Sequence, residues 1–187
     1  MVGCRLHADS CLHGAADPVT GSEVPGNVQG VAEAVNIVQK SIAAASLSAG
    51  VALVSYFEGR ELIGYFDPVG IPTVCYGHTA TAVVGQQRTS EECEQLLAQD
   101  LGFALAAVDK QLPSLPPLTR AALGSFVFNV GAGNFNSSTL LRKAKSGDLV
   151  GACSELPRWV YAGGRQLTGL VRRRAAEREL CLRGLGE

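Results

Sequence analysis

The chain has no Cys-x-x-Cys pair, no glycine-rich phosphate loop and no internal repeat. Zinc-ribbon and dithiol redox sites, nucleotide cradles and stacked-repeat architectures therefore drop out of consideration. No cluster of metal-ligating side chains stands out, so neither a metal nor an organic cofactor is implied. Aromatic residues make up only 6% of the sequence, and few stand near its basic C-terminal end. Nucleic acid, which needs stacking platforms for its bases, is not an expected partner. Net charge is small, at a formal -1, but unevenly spread. Arg158, Arg165, Arg172, Arg173, Arg174, Arg178 and Arg183 all fall in the last thirty residues. Such an end either faces something anionic or forms a solvated helix face.

What is present can fold. A length of 187 residues, 47% of them hydrophobic, suffices to bury a core in one domain, or in two small lobes sharing a long helix. Residues 1–34 are rich in Gly, Pro, Ser and Asp and lack an apolar period, so they read as a flexible leader, or as a stretch upstream of a true start near Val35. Ser41 to Phe57 is a run of seventeen uncharged residues, the short limit for a membrane-spanning helix. Its Ala-, Ser- and Gly-rich composition makes transfer into lipid only marginally favourable. A cleaved signal peptide fits poorly, because no small-x-small site separates the run from Glu58. A weak reversible anchor and a buried helix both fit, and they need not exclude each other. Ahead of the run, Asp9, Asp17, Glu23 and Glu33 stand where a positive-inside orientation would prefer Lys or Arg.

Six cysteines are many for a small cytosolic protein and point to an oxidising compartment. Cys4 and Cys11 lie in the leader. Cys75, Cys93, Cys153 and Cys181 are expected to form two disulfides; spacing alone leaves three connectivities open. The pairing expected is Cys75 with Cys93 and Cys153 with Cys181, each joining neighbours within one lobe. Residues 64–81, dense in Gly, Pro, Tyr and Val, read as a small antiparallel sheet. Thr89-Ser-Glu-Glu opens a helix with an N-cap and an acidic first turn, and Leu97, Leu101, Leu105 and Val108 continue it to the prolines at 113, 116 and 117. A second helix begins near Leu118 and ends at Gly131. Shorter ones are expected at 139–145, 148–156 and 170–182.

The chemistry concentrates in Phe57-Glu58-Gly59, Tyr65-Phe66-Asp67-Pro68 and Thr73-Val74-Cys75-Tyr76-Gly77-His78-Thr79. A carboxylate closing an apolar helix sits where burial favours its protonated form, while one on a polar turn stays ionised. Glycosidic cleavage needs that division: an acid at the leaving oxygen and an ionised group across the sugar ring. The Thr73 hydroxyl can hold a water. Taken singly, Glu58 is an ordinary helix-end carboxylate and Asp67 a turn former before Pro68. What overturns that reading is the family resemblance that their joint spacing carries.

Glu58, Asp67 and Thr73, together with Thr-x-x-x-Gly-His-Thr, resemble the catalytic triad and motif of the phage-type lysozymes, glycoside hydrolase family 24. Phe128-Asn129-Val130-Gly131-Ala132-Gly133-Asn134-Phe135 and Arg158-Trp159-x-x-Ala162-Gly163-Gly164 are similar to helix and cleft segments of lambdoid-phage endolysins. The resemblance implies an α+β, lysozyme-like fold, with a small antiparallel sheet lobe and a mostly helical lobe flanking a saccharide cleft. It implies hydrolysis of the β-1,4 bond between N-acetylmuramic acid and N-acetylglucosamine in peptidoglycan, leading to host lysis. Glu58 would be the general acid, Asp67 and Thr73 would position the water with inversion, and retention through Asp67 stays open. Asn129 and Arg158 would bind saccharide. Residues 35–57 resemble a signal-anchor-release helix, with transient inner-membrane contact through 41–57, and 58–187 would be the catalytic domain of a monomer acting in the host periplasm. His78 is expected to be structural, paired with Asp100, and Trp159 to fill the core. Two rival readings remain: a lytic transglycosylase, which would need only the Glu, and a non-catalytic wall-binding module.

Overall fold

The computed structural model describes residues 28–186. A long helix α1 (Val28–Phe57) leads into a hairpin of β1 (Glu61–Phe66) and β2 (Pro72–Cys75). Helices α2 (Ser90–Gln111) and α3 (Pro117–Val130) follow, then the short α4 (Ala132–Asn136), α5 (Thr139–Lys145) and α6 (Leu149–Cys153). A 3-10 turn (Leu156–Arg158), a two-residue hairpin of β3 (Tyr161–Ala162) and β4 (Arg165–Gln166), and α7 (Thr168–Leu185) complete the described chain. The arrangement is the α+β one expected, a small antiparallel lobe beside a helical lobe.

Local chemistry accounts for the element ends. Thr89 caps α2 by accepting from the Glu92 amide while the Glu92 carboxylate accepts from the Thr89 amide, a complete capping box. α3 starts at Pro117, whose missing N–H costs nothing there, and stops where Gly131 takes φ 84°. α3 is the centre of the helical lobe and packs against α1, α2 and α7. Close approach is allowed by glycine: a Cβ on Gly124 would stand 2.5 Å from Leu105 Cδ2, and one on Gly50 would stand 2.7 Å from Leu101 Cδ2. Ser46, Gly50 and Val54, four residues apart, give α1 its buried stripe. The Ser46 hydroxyl is satisfied within the helix, donating to the Ile42 carbonyl at 2.8 Å.

Two expectations are corrected here. Residues 28–34 belong to α1 rather than to the leader, because Val-Ala-Glu-Ala-Val extends an already nucleated helix at little cost; the expectations for residues 1–27, Cys4 and Cys11 among them, lie outside the described residues. Second, Arg173 and Arg174 do not form part of a solvent-facing basic surface. Both are buried.

Both disulfides are formed as expected, Cys75 to Cys93 and Cys153 to Cys181, with Cα separations of 5.0 and 5.8 Å. The first ties β2 to α2, the second α6 to α7. Trp159 packs on the core, edge-on to Phe126 at 5.2 Å between ring centroids.

Candidate active site

Glu58 follows the last residue of α1, and its amide still donates to the Val54 carbonyl at 2.9 Å, so the helix end fixes the position of its backbone. Its side chain, 28% exposed, faces a cavity of about 530 Å³ that is also lined by Tyr76, His78, Asp100, Phe103 and Asn129. Oε1 of Glu58 accepts from Arg173 Nη1 at 2.5 Å. The other oxygen has no hydrogen bond among the described residues.

Asp67 and Thr73 sit at one end of the hairpin, where Phe66 pairs with Pro72 and Tyr65 with Thr73. Both are tied to the same residue. Asp67 Oδ1 accepts from the amides of Val69 at 2.9 Å and Ile71 at 2.8 Å, and Thr73 Oγ1 donates to the Ile71 carbonyl at 3.0 Å. The hairpin thus brings these two side chains together, while Glu58 stands on the cavity wall and neither Asp67 nor Thr73 lines that cavity.

His78 is held on the cavity wall by a turn in which Val74 and His78 exchange backbone bonds of 2.9 Å, with Cys75 at φ 60° and Gly77 at φ 89°. Its Nδ1 meets Asp100 at 2.7 Å, and its Nε2 accepts from the Thr81 amide at 3.1 Å. An Nε2 that accepts leaves the proton on Nδ1, shared with Asp100. This histidine is structurally satisfied.

Asn129 lines the cavity, and its Oδ1 accepts from Arg174 Nη2. Arg158 does not line it. That side chain is 72% exposed and pairs with Glu155 at 3.1 Å.

Behind Glu58 lies a buried ionic group that the sequence reading missed. Glu177, with no exposed surface, accepts from Ser125 Oγ at 2.7 Å and from Arg173 Nε at 3.2 Å on Oε1, and from Arg174 Nη1 on Oε2. Burial pushes Glu177 above the usual carboxylate range against the pull of Arg174 and Arg173, and pushes Arg174 below its own. Arg174 also lies over the Phe126 ring, 5.0 Å from its centroid. The i,i+3 and i,i+4 spacing of Arg174 and Arg173 to Glu177 was the available signal.

A cleft between a sheet lobe and a helical lobe, with a carboxylic acid on its wall, defines a lysozyme-type glycoside hydrolase. The phage lysozyme family profile matches residues 55–177. The SAR-endolysin of Enterobacteria phage PA-2 is 50% identical over 129 residues, covering 68% of this chain and 78% of that protein, and that of Enterobacteria phage P21 is 48% identical over the same length. Among solved structures, the muramidase domain of SpmX from Asticaccaulis excentricus superposes with TM-score 0.67 at 34% identity, over 72% of this chain and 95% of that one. The active form of the P1 phage endolysin Lyz gives TM-score 0.68 at 27% identity, over 73% and 84%. The chain belongs to the phage lysozyme family, as an endolysin of the lambdoid SAR type.

Proposed function

We propose that this endolysin hydrolyses the β-1,4 bond between N-acetylmuramic acid and N-acetylglucosamine with Glu58 as general acid and with Asp67 and Thr73 holding the attacking water. The observation that carries the reading is the partly exposed Glu58 side chain on the wall of a roughly 530 Å³ cavity, with one oxygen fixed by a buried arginine. Asp67 and Thr73, tied to one residue of the hairpin, support a shared water-positioning role. A water activated by a carboxylate on the face opposite the leaving group gives inversion. Asn129, aimed by Arg174 at the cavity, is the saccharide-binding candidate, whereas Arg158 stays a candidate only for strands reaching beyond it.

Glu58→Gln should reduce clearing of permeabilised Gram-negative cells about 10²-fold or more, as expected for losing a general acid. Reducing-end muropeptides, with inverted anomeric configuration by NMR on first release, are the expected products. Anhydro-muramyl products would assign the chain to transglycosylation instead.

The same reading extends to location. Val35–Phe57 is long and apolar enough to cross a membrane, and only 17% of an 18-residue apolar window within it is buried against the rest of the protein. A helix so lightly packed supports a transient inner-membrane tether, followed by release as a monomer into the host periplasm. The protein is expected to divide between membrane and soluble fractions and to move to the soluble one on depolarisation; protein that is never exported would overturn this.

A further inference from the structure

A hydrolase that needs Glu58 protonated is not helped by a cation against it unless that cation is balanced. Arg173, its side chain 4% exposed, donates to Glu58 Oε1 at 2.5 Å. Alone, such a guanidinium would favour the ionised form of Glu58, the wrong state for delivering a proton to a leaving oxygen. The balancing group is Glu177, one turn further along α7 and fully buried. Its two oxygens take one guanidinium each, Oε1 from Arg173 and Oε2 from Arg174, with Ser125 on α3 adding a bond of 2.7 Å. From this hub the arginines diverge, Arg173 to Glu58 and Arg174 to Asn129, and both targets line the cavity.

We propose that Glu177 is a positioning residue of this hydrolase: it aims Arg173 at Glu58 Oε1 and offsets its charge, so that Glu58 keeps a proton on Oε2 beside the bound sugar. The proposal rests on Glu58 being the general acid. An oxygen that accepts from a guanidinium is the carbonyl oxygen of the protonated acid, which assigns the proton to the other one. With Glu58 protonated, Arg173, Arg174 and Glu177 leave one net positive charge behind it; without Glu177 there would be two. The other titratable groups on the cavity wall are Tyr76 just after β2, Asp100 on α2 and the His78 bonded to it. α3 contributes the neutral Ser125 and Asn129, and α1 is uncharged from Ser41 to Phe57.

The test is the pH profile of reducing-end release from purified peptidoglycan by the full chain, for wild type, E177Q and R174Q/E177Q. E177Q keeps the shape of the side chain and removes its charge, so the alkaline limb, where the general acid loses its proton, should move about one pH unit lower. Activity near neutral pH then falls roughly tenfold and recovers in more acidic buffer. R174Q/E177Q restores the wild-type charge balance and should return the limb to its wild-type position. An unmoved limb in E177Q, including a uniform loss at every pH, overturns the proposal. Should E177Q not fold by near-ultraviolet circular dichroism, the double variant decides: a limb coincident with wild type supports the charge balance, and a displaced one overturns it. E58Q is assayed alongside. Activity surviving E58Q sinks the assignment of Glu58 itself, whereas a dead E58Q with an unmoved E177Q limb sinks only the role of Glu177.

Discussion

Asp67 uses its two oxygens differently. Oδ1 accepts from the amides of Val69 and Ile71 and so shapes the turn, whereas Oδ2 has no hydrogen bond among the described residues. Asp67→Asn keeps an acceptor for both amides and deletes the charge. Activity should fall about 10²-fold or more while the urea midpoint stays put. Equal activity would remove Asp67 from the reaction, and a collapse in stability would make it a turn former only. A second carboxylate titrates for a structural reason. Glu155 is held below the usual carboxylate range first by its bond from Lys143 at 2.7 Å and then by Arg158. A depressed folded value means the pair stabilises above the unfolded value of about 4.3 and loses that contribution as pH falls through the lower folded one. With Lys143 37% and Arg158 72% exposed, screening limits the contribution to about 1 kcal/mol. Glu155→Gln should therefore lower stability at pH 7 and leave it unchanged near pH 2, as read from urea unfolding at both. Of these residues, Glu58, Asp67 and Thr73 stand out in the sequence only through the family resemblance that their joint spacing carries. Glu177 offered only its helical spacing to Arg173 and Arg174, because its meaning depends on Ser125, and through Arg173 on Glu58, both far along the chain.

Elements closed by local chemistry were the ones legible beforehand. The capping box at Thr89 and Glu92, Pro117 and Gly131 each act within a few residues, so α2 and α3 were readable from the sequence alone. α4 was not. Its five residues, Ala132–Asn136, include a glycine and two asparagines and have too few positions to show a period; Phe135, fully buried, holds it in place through tertiary packing. α1 was legible as apolar but not in its use, since the same stripe suits lipid and protein. Gly50 separates these uses. A side chain there meets Leu101, so Gly50→Leu should destabilise the packed form by about 1–3 kcal/mol. The same substitution adds about 0.5 kcal/mol of favourable insertion free energy to the helix. Both effects favour the tethered state. The variant is expected in the membrane fraction with reduced lytic activity, even after depolarisation; release equal to wild type would show that α1 does not need to pack on α2.

At the scale of the whole molecule, the two disulfides brace different sides of the cleft. Cys75–Cys93 joins the sheet that carries Thr73 to α2, and Cys153–Cys181 joins α6 to the helix that carries Arg173 and Glu177. Their sequence separations are 18 and 28, so closing these loops in the unfolded chain is worth about 3–4 kcal/mol each by the loop-entropy account. That the four cysteines pair within lobes could be expected; that each pair braces one wall of the site could not, because α7 reaches Glu58 only through folding. Distant braces that share no partner should add. Cys75→Ala with Cys93→Ala, and Cys153→Ala with Cys181→Ala, should each lower the unfolding free energy by about 3–4 kcal/mol, and all four together by the sum within about 0.5 kcal/mol. A deficit or excess beyond that would mean that the walls stabilise each other through the Arg173–Glu58 contact. In that case the coupling should vanish when the urea series is repeated on Glu58→Gln, which removes the charge joining them.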